Sequence, residues 1–208
     1  MLIKNEIYSV ELSIDKDWNW LPEDRERYDY IYDLTAGKTV DNRDLYDTVS
    51  IFCTYNDKMH IRIAIAGCFC YSCIRQHPVV LEGDVLTLQL NSDIVQIALK
   101  DGQMLRHIDL DTIGFSPGDC FAIYSTKYGF IVYGELDIVM LNRELKVLWT
   151  FDGADIFALP DCQKDAFILH EDTVELYDWL GNYYEVRLAS GELVRFIRAE
   201  GAETQNSC

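Results

Sequence analysis

Positive charge is scarce in this chain. Its 208 residues include 18 lysines and arginines against 35 aspartates and glutamates, which gives a formal net charge of −17 and a sequence pI near 4.4. Such a field repels the phosphates of nucleic acids and of anionic lipid headgroups. The composition therefore argues against general nucleic-acid binding and against docking on an anionic membrane surface.

Long apolar runs and export signals are also missing. No segment approaches the roughly 18 apolar residues that cross a bilayer, and the longest one, 61–74, contains Arg62. The first ten residues carry Lys4 and Glu6 where a secretory signal has a continuous apolar stretch. The seven cysteines are an odd number, and without export they favour reduced thiols over a disulfide framework. These features predict a cytoplasmic protein.

Catalytic signatures are lacking as well. The sequence contains no Gly-x-Ser-x-Gly elbow, Walker loop or Gly-x-Gly-x-x-Gly turn, so nucleophilic catalysis and nucleotide binding have no support. The four histidines are isolated and form no His-x-x-x-His pair: His60, His77, His107 and His170. We therefore predict that the protein is not an enzyme and that it has no cofactor.

What the chain does have is the pattern of β-strands. Hydrophobic residues make up 49% and aromatic residues 12% of the sequence, which is enough for a packed core. Apolar and polar residues alternate over 6–14, 48–55 and 60–66, with the period of a half-buried strand. The last two segments flank a turn at 56–58 and predict a hairpin. The best helix candidate is a short polar run at 23–27.

Residues 86–188 repeat one pattern three times: an apolar strand, an acidic turn, a second apolar strand, a polar turn and a third strand. The second strands begin at Ile94, Ile138 and Val174, so the repeats are spaced by 44 and 36 residues. This spacing brackets the ~40–50 residues of a four-stranded propeller blade. A single meander cannot cover its own apolar face, so we expect successive meanders to stack.

Each repeat contains a turn or strand end rich in Asp, Asn, Gly or aromatic residues. These pieces lie at 98–103 (ALKDGQ), 146–151 (KVLWTF) and 177–182 (YDWLGN). In this respect the chain resembles the repeats of β-propellers of the quinoprotein (PQQ-dehydrogenase-like) and WD-repeat type. The resemblance covers residues 80–198 well and 28–75 poorly. It places none of the quinoprotein cofactor-binding residues in this sequence, so quinone chemistry is not implied.

The predicted fold class is all-β, with antiparallel meander repeats in a small or partial β-propeller-like arrangement and a β-sandwich as the alternative. At ~42 residues per blade, 208 residues hold at most about five blades. We expect a single β-rich domain over 1–198, with an irregular N-terminal β part at 1–75 and three blade-like repeats at 80–198. Residues 199–208 are small and polar and are expected to form a flexible tail.

Three cysteines lie close together in the sequence: Cys68, Cys70 and Cys73. Thiolates are ligands for zinc and for iron–sulfur clusters, so this cluster is the candidate metal site. A structural zinc site needs four ligands, however, and no second Cys-x-x-Cys pair follows. Buried structural thiols are therefore the favoured interpretation, and no bound metal is predicted.

Six further residues are candidates for binding a partner: Trp18, Trp20, Asp152, Asp155, Asp161 and Asp165. The four aspartates crowd the link between the second and third repeats. Their spacing does not match a calcium-binding loop, so a solvated acidic connection is favoured over a cation site. The two tryptophans lie in a polar stretch, where they form either a local packing contact or an exposed hot spot, because tryptophan is enriched at interfaces.

Charge is unevenly distributed along the chain. Residues 76–208 hold 22 of the 35 acids and nine of the 18 bases, a net charge of −13. An acidic β-repeat scaffold without catalytic motifs suits electrostatic binding of a basic protein. We therefore predict a non-enzymatic interaction module, in concrete form a bacterial immunity-type protein that blocks a basic toxin. The alternatives are a metal- or ligand-binding enzyme that uses the cysteine cluster and a structural scaffold subunit.

Overall fold

The structure is a computed structural model of the 208-residue chain. It describes residues 1–19, 21–35, 46–68, 77–115, 120–160 and 165–199. Within these ranges the regular structure consists of seventeen strands, one helical turn at Pro22–Arg25 and a 3-10 turn at Asp111–Ile113. The predicted all-β fold class is confirmed. No helix of the described residues is both long and apolar enough to cross a lipid bilayer.

The first sheet contains five strands: β1 (Leu2–Lys4), β2 (Tyr8–Ile14), β3 (Tyr30–Asp33), β4 (Tyr46–Tyr55) and β5 (Lys58–Cys68). Its spatial order is β1-β2-β4-β5-β3. The strands β1, β2, β4 and β5 form an antiparallel meander, and β3 pairs with β5 in parallel. The predicted hairpin is confirmed as β4 and β5. Asn56 and Asp57 join them with φ angles of 48° and 61°, which suit a tight hairpin turn.

Three four-stranded antiparallel sheets follow along the chain. The second sheet contains β6 (Val79–Glu82), β7 (Val85–Leu90), β8 (Asp93–Ala98) and β9 (Met104–Asp109). The third sheet contains β10 (Cys120–Thr126), β11 (Gly129–Gly134), β12 (Asp137–Leu141) and β13 (Val147–Asp152). The fourth sheet contains β14 (Phe167–Leu169), β15 (Thr173–Tyr177), β16 (Tyr183–Arg187) and β17 (Leu193–Ile197). Each sheet keeps its strands in chain order, so the three predicted meander repeats are confirmed.

The inner strands of the second and third sheets are buried on both faces. All six residues of β8 are buried, and Val95 and Ile97 from one of its faces join the hydrophobic core. A strand buried on both faces has a nearly continuous apolar sequence, as here in Ile94–Ala98. Asn91, with a φ of 56°, reverses the chain just before β8, because asparagine tolerates this left-handed conformation.

One irregularity recurs in all four meanders. Between the third and the fourth strand the register shifts by one position, which leaves one extra residue in the fourth strand. These extra residues are exposed: His60, Leu105, Leu148 and Val194. Such a β-bulge bends and twists its strand. Its recurrence at one position identifies the first sheet as a fourth copy of the repeat, to which β3 is added.

The chain divides into two compact units. One comprises Met1–Leu110 and Phe121–Ile123, and the other Asp111–Cys120 and Tyr124–Cys208. The core of the first unit combines side chains of the first and second sheets, such as Ile51 and Leu88. The core of the second unit combines side chains of the third and fourth sheets, such as Met140 and Val174, around Phe157. The predicted tail lies outside the described residues except for Ala199.

Candidate functional site

Two aspartates face each other at one end of the third sheet. Asp137 begins β12, Asp152 ends β13, and the two residues are directly opposite in the register of these strands. The bulge residue Leu148 causes this arrangement because it shifts the register by one position. Without the shift, Asp137 would face Phe151. Opposite residues in an antiparallel pair have Cβ atoms about 4.5–5.5 Å apart, so like charges in these positions repel each other.

The surroundings of Asp137 disfavour its charge. The side chain is half-buried, and burial raises the pKa of its carboxyl above the ordinary value, with a further increase from the negative charge of Asp152. Asp152 itself is exposed. A carboxylate that is partly dehydrated and opposed by a like charge is destabilising in the folded protein. The rest of the fold therefore holds this pair together at a cost in stability.

The segment that follows β13 is anchored over the same end of the sheet. The backbone N–H of Phe157 donates to the carbonyl of Glu135 at 2.7 Å, and the Tyr133 hydroxyl donates to the carbonyl of Phe157 at 2.6 Å. The Phe157 side chain is fully buried. Asp155 lies in this segment, and its Oδ1 accepts the backbone N–H of Ile156 at 2.8 Å. Part of the predicted acidic link is thus an ordered turn.

Asp165 lies within electrostatic range of this end of the third sheet. It is exposed and precedes the first strand of the fourth sheet. Burial is the main cause of the raised pKa values of Tyr124 in β10 and Tyr133 in β11, and the charge of Asp165 raises both further. We refer to the following four residues as the acidic edge: Asp137, Asp152, Asp155 and Asp165.

Acidic residues at the opposite end of the second unit are neutralised by bases. The Nζ atom of Lys127 lies 2.7 Å from Asp172 and 3.4 Å from Glu171, and Nε of Arg187 lies 3.5 Å from Glu192. The hydrogen bond from Lys127 lowers the pKa of Asp172. Within the described ranges, no lysine or arginine forms such an ion pair with the acidic edge. Among these residues, the negative charge of the acidic edge is therefore not neutralised by an ion pair.

The second sheet carries an aspartate pair at the same place in its repeat. Asp93 begins β8 and faces Asp109 at the end of β9. Both residues are buried, and Nε2 of His107 lies 2.7 Å from Oδ1 of Asp93. This pair thus has an imidazole as its neighbour and little access to solvent. The corresponding pair in the third sheet is the accessible one.

Trp18 takes part in a local aromatic contact. Its ring lies 5.7 Å from the ring of Tyr28 in an edge-to-face arrangement, and Tyr28 stacks on Phe52 at 6.1 Å. The Tyr28 hydroxyl donates to Asp15 at 2.6 Å, which fixes the ring that Trp18 contacts. Trp18 is half-buried, and its role in binding a partner stays a prediction.

Several predicted site residues lie outside the described ranges: Trp20, Cys70, Cys73 and Asp161. Cys68 ends β5. Among the residues that the structure does describe, no group of three or more histidine, cysteine or acidic side chains has the geometry to hold a metal ion. Cys53 and Cys120 are buried free thiols, and burial raises the pKa of Cys53 to about 11. Cys53 is part of the hydrophobic core of the first unit, so it is a packing residue.

Asp137 is the residue of the acidic edge that the sequence reasoning missed. That reasoning grouped aspartates by their position in the link at 152–165 and left out Asp137, which the repeat pattern assigns to the acidic turn before Ile138. The sequence does contain a signal for this residue. Asp93 and Asp137 lie 44 residues apart, which is the spacing of the first two repeats. Each of them directly precedes the second predicted strand of its repeat, which begins at Ile94 or Ile138.

No family model and no curated protein matches the chain. Solved structures do match it. BamB from Moraxella catarrhalis has a TM-score of 0.42 and 15% identity over 56% of this chain and 34% of its own. The Pan2 WD40 domain of Neurospora crassa has a TM-score of 0.44 and 10% identity over 63% of this chain and 41% of its own.

A third match is the quinohemoprotein alcohol dehydrogenase from Comamonas testosteroni, with a TM-score of 0.44 and 13% identity over 60% of this chain and 21% of its own. The chain thus spans about a fifth to two fifths of the length of these three structures. Both predicted classes, WD-repeat and quinoprotein, are among the matches, which confirms the predicted resemblance. A likeness at this level says nothing about activity or ligands.

Proposed function

We propose that this chain is a non-enzymatic interaction module that binds a basic protein partner through the acidic edge. The observation that carries the proposal is the pair formed by Asp137 and Asp152, which face each other without a basic ion-pair partner among the described residues. A lysine or arginine of a partner would relieve the repulsion within this pair. Groups that are unfavourable in the free protein and favourable in a complex are typical of functional surfaces.

The distribution of charge favours this end of the second unit as the docking surface. At the opposite end Lys127 and Arg187 already neutralise nearby acids. The acidic edge therefore contributes more than the opposite end does to the electrostatic field that a cationic partner meets on approach. Complementary charge of this kind raises the association rate and makes it sensitive to salt.

In concrete form, we propose that the partner is a basic toxin such as a nuclease and that the chain acts as its immunity protein. The carboxylates of the acidic edge would take the places on the toxin that substrate phosphates occupy. This form is supported by the negative charge and the ordered acidic turn. It requires that the bound partner lose its enzymatic activity at a one-to-one ratio.

The proposal is tested by affinity capture from a lysate of the source cells at low salt, followed by a salt gradient and mass spectrometry. We expect wild-type protein to retain a basic protein that elutes as salt rises. The triple variant Asp137→Asn, Asp152→Asn, Asp155→Asn should lose it. The captured protein is then purified, and its activity is measured with and without this chain.

A charge-matched control separates the acidic edge from net charge. The variant Glu171→Gln, Asp172→Asn, Glu192→Gln removes three acids from the neutralised end, and we expect it to retain the partner. Equal loss of binding in the two variants would contradict a role for the acidic edge. Retention that does not change with salt would contradict electrostatic binding altogether.

A further inference from the structure

The fourth strand of the first meander, β5, is paired on both of its sides. β4 pairs with one side, and β3 pairs with the other. β5 is the fourth strand of its meander, as β9, β13 and β17 are in theirs. β3 adds to its free edge, pairing Tyr30–Asp33 with Ile63–Ala66 in parallel. This pairing lies beyond the bulge at His60. The chain itself therefore shows that the outer edge of its repeat accepts a further strand.

A carboxylate fixes the added strand in place. The backbone N–H of Asp29 donates to the carbonyl of Arg62 at 2.8 Å, and Oδ2 of Asp29 accepts the backbone N–H of Arg62 at 2.9 Å. The Arg62 guanidinium donates to both carboxylate oxygens, at 3.0 and 3.3 Å. The added strand is thus an apolar Tyr-Ile-Tyr segment whose preceding aspartate meets an arginine on the outer strand.

The fourth strands of the second and third sheets, β9 and β13, lie beside hydrogen bonds to segments outside their own sheets. Beside β9, the Tyr32 hydroxyl accepts the backbone N–H of Met104 at 2.9 Å and donates to the carbonyl of Gly102 at 2.8 Å. In β13, Nε1 of Trp149 donates to the carbonyl of Leu188 at 2.8 Å. Beyond its neighbour β16, no described strand pairs with β17.

Among the described strands, β17 is an edge strand, and its sequence is apolar. All five of its residues are exposed. Four of them are large and apolar, with exposed fractions of 45–49%: Leu193, Val194, Phe196 and Ile197. Unpaired backbone groups along an apolar edge strand are a template for another strand, and strand addition is a common way to bind an extended peptide. β17 therefore has the backbone and the apolar surface that strand addition needs.

The central charge of β17 indicates what kind of strand fits. Arg195 directly follows the bulge residue Val194 and faces Glu185 of β16, whereas Arg62 lies two residues after the bulge residue His60 of β5. Its guanidinium lies 5.8 Å from the centre of the Tyr183 ring. The nearby acid Glu192 is engaged by Arg187. An incoming strand with a carboxylate near Arg195 would be complementary in charge.

We propose that β17 binds an added strand from another protein, namely an extended apolar segment that carries an aspartate or glutamate opposite Arg195. This surface is separate from the acidic edge and recognises the opposite charge. A second copy of this chain fits less well. Antiparallel pairing of two β17 strands about their centres places Arg195 against its own copy, and like charges in opposite positions are destabilising.

The test uses the full chain and a blocked peptide with the sequence of residues 28–34, YDYIYDL, which contains the strand that fills the equivalent edge of the first sheet. Hydrogen exchange is followed with and without the peptide. We expect slower exchange in Leu193–Ile197. The variant Arg195→Glu should weaken peptide binding about fivefold or more, because it replaces an attraction by a repulsion. Arg195→Lys should largely retain it.

Two controls make the result specific. Arg106→Glu makes the same change in charge on β9, the fourth strand of the second sheet, and we expect it to bind the peptide as wild type does. A peptide with lysine in place of both aspartates should not bind. Protection confined to Ile63–Ala66, equal binding by Arg195→Glu, or no protection at all would overturn the proposal. Protection of β17 that grows with protein concentration alone would assign the edge to a second copy instead.

Discussion

Asp137 differs from the other aspartates whose pKa is shifted in this protein. Hydrogen bonds from backbone amides or basic side chains lower the pKa values of Asp24, Asp29 and Asp172. For Asp137 the main influence is burial, followed by the charge of Asp152, and both raise the pKa. The first three carboxylates contribute to stability by being ionised, whereas ionised Asp137 opposes folding.

The variant Asp137→Asn should therefore be more stable than the wild type at about pH 7. A pKa that is higher in the folded state means that stability falls as the pH rises from the unfolded pKa, about 3.9, through the folded pKa. We expect a gain of about 0.2–1 kcal/mol, the scale of one cross-strand pair. The measurement is urea denaturation at about pH 7 and at about pH 3, where the gain should vanish.

The variant Asp152→Asn is the companion measurement. It removes the like charge but leaves Asp137 half-buried, so its gain at neutral pH should be smaller than that of Asp137→Asn. A gain of equal size would mean that repulsion, and not burial, dominates the environment of Asp137. A gain that persists at about pH 3 would show that ionisation is not its cause.

The hairpin of β11 and β12 depends on a close approach between the backbone at Gly129 and the backbone at Leu141 and Asn142. Gly129 begins β11 with a φ of 144°, and a Cβ atom there would collide with the carbonyl oxygen of Leu141 and lie 2.9 Å from Cα of Asn142. Both contacts are with backbone of the paired strand and its turn. The strand cannot move away from them without disturbing its pairing with β12.

The variant Gly129→Ala should destabilise the second unit by about 2–6 kcal/mol, because backbone strain and overpacking each cost about 1–3 kcal/mol. Gly181→Ala is a matched control in the same unit. Its φ of 83° is also left-handed, but its Cβ would meet only the side chain of Ala199, at 3.4 Å. In urea denaturation the control should lose about 1–2 kcal/mol. Equal losses would show that the backbone collision does not matter.

The repeats could be predicted from the sequence because their signals are local. Strand alternation and the turns that separate 86–90, 94–99 and 104–110 lie within one short stretch of chain. The first sheet was harder to recognise because β2 ends at Ile14 and β4 begins at Tyr46, so the inserted residues hide the period. The parallel pairing of β3 with β5 depends on contacts that no local pattern reports.

The acidic edge could be predicted only in part for a related reason. Asp152, Asp155 and Asp165 are close in sequence and were found as a cluster. The facing of Asp137 and Asp152 depends on the single extra residue Leu148. A shift of one position changes which residues face each other across a sheet. The alternation of apolar residues does not reveal where a bulge lies, so this pair is visible only in the folded chain.

The chain as a whole has a net charge of −17, and repulsion among its like charges opposes the compact state. Salt should therefore affect folding and binding in opposite directions. Screening of like charges stabilises the folded chain, while screening of the attraction to a basic partner weakens the complex. The acidic edge contributes to both effects, because among the described residues its carboxylates have no ion pairs like those that Lys127 and Arg187 form elsewhere in the second unit.

The unfolding free energy of the wild type should rise between about 10 mM and about 150 mM salt, as the Debye length falls from about 30 Å to about 8 Å. The rise should be smaller in the triple variant of Asp137, Asp152 and Asp155, since part of the repulsion is already gone. The control variant Glu171→Gln, Asp172→Asn, Glu192→Gln leaves Lys127 and Arg187 without their acidic partners. The two bases should then attract the remaining negative charge of the folded chain. Added salt should weaken this attraction. Urea denaturation at the two salt concentrations measures all three proteins. A wild type whose stability falls with added salt would mean that ion pairs outweigh self-repulsion, and the acidic edge would not be a source of stored repulsion.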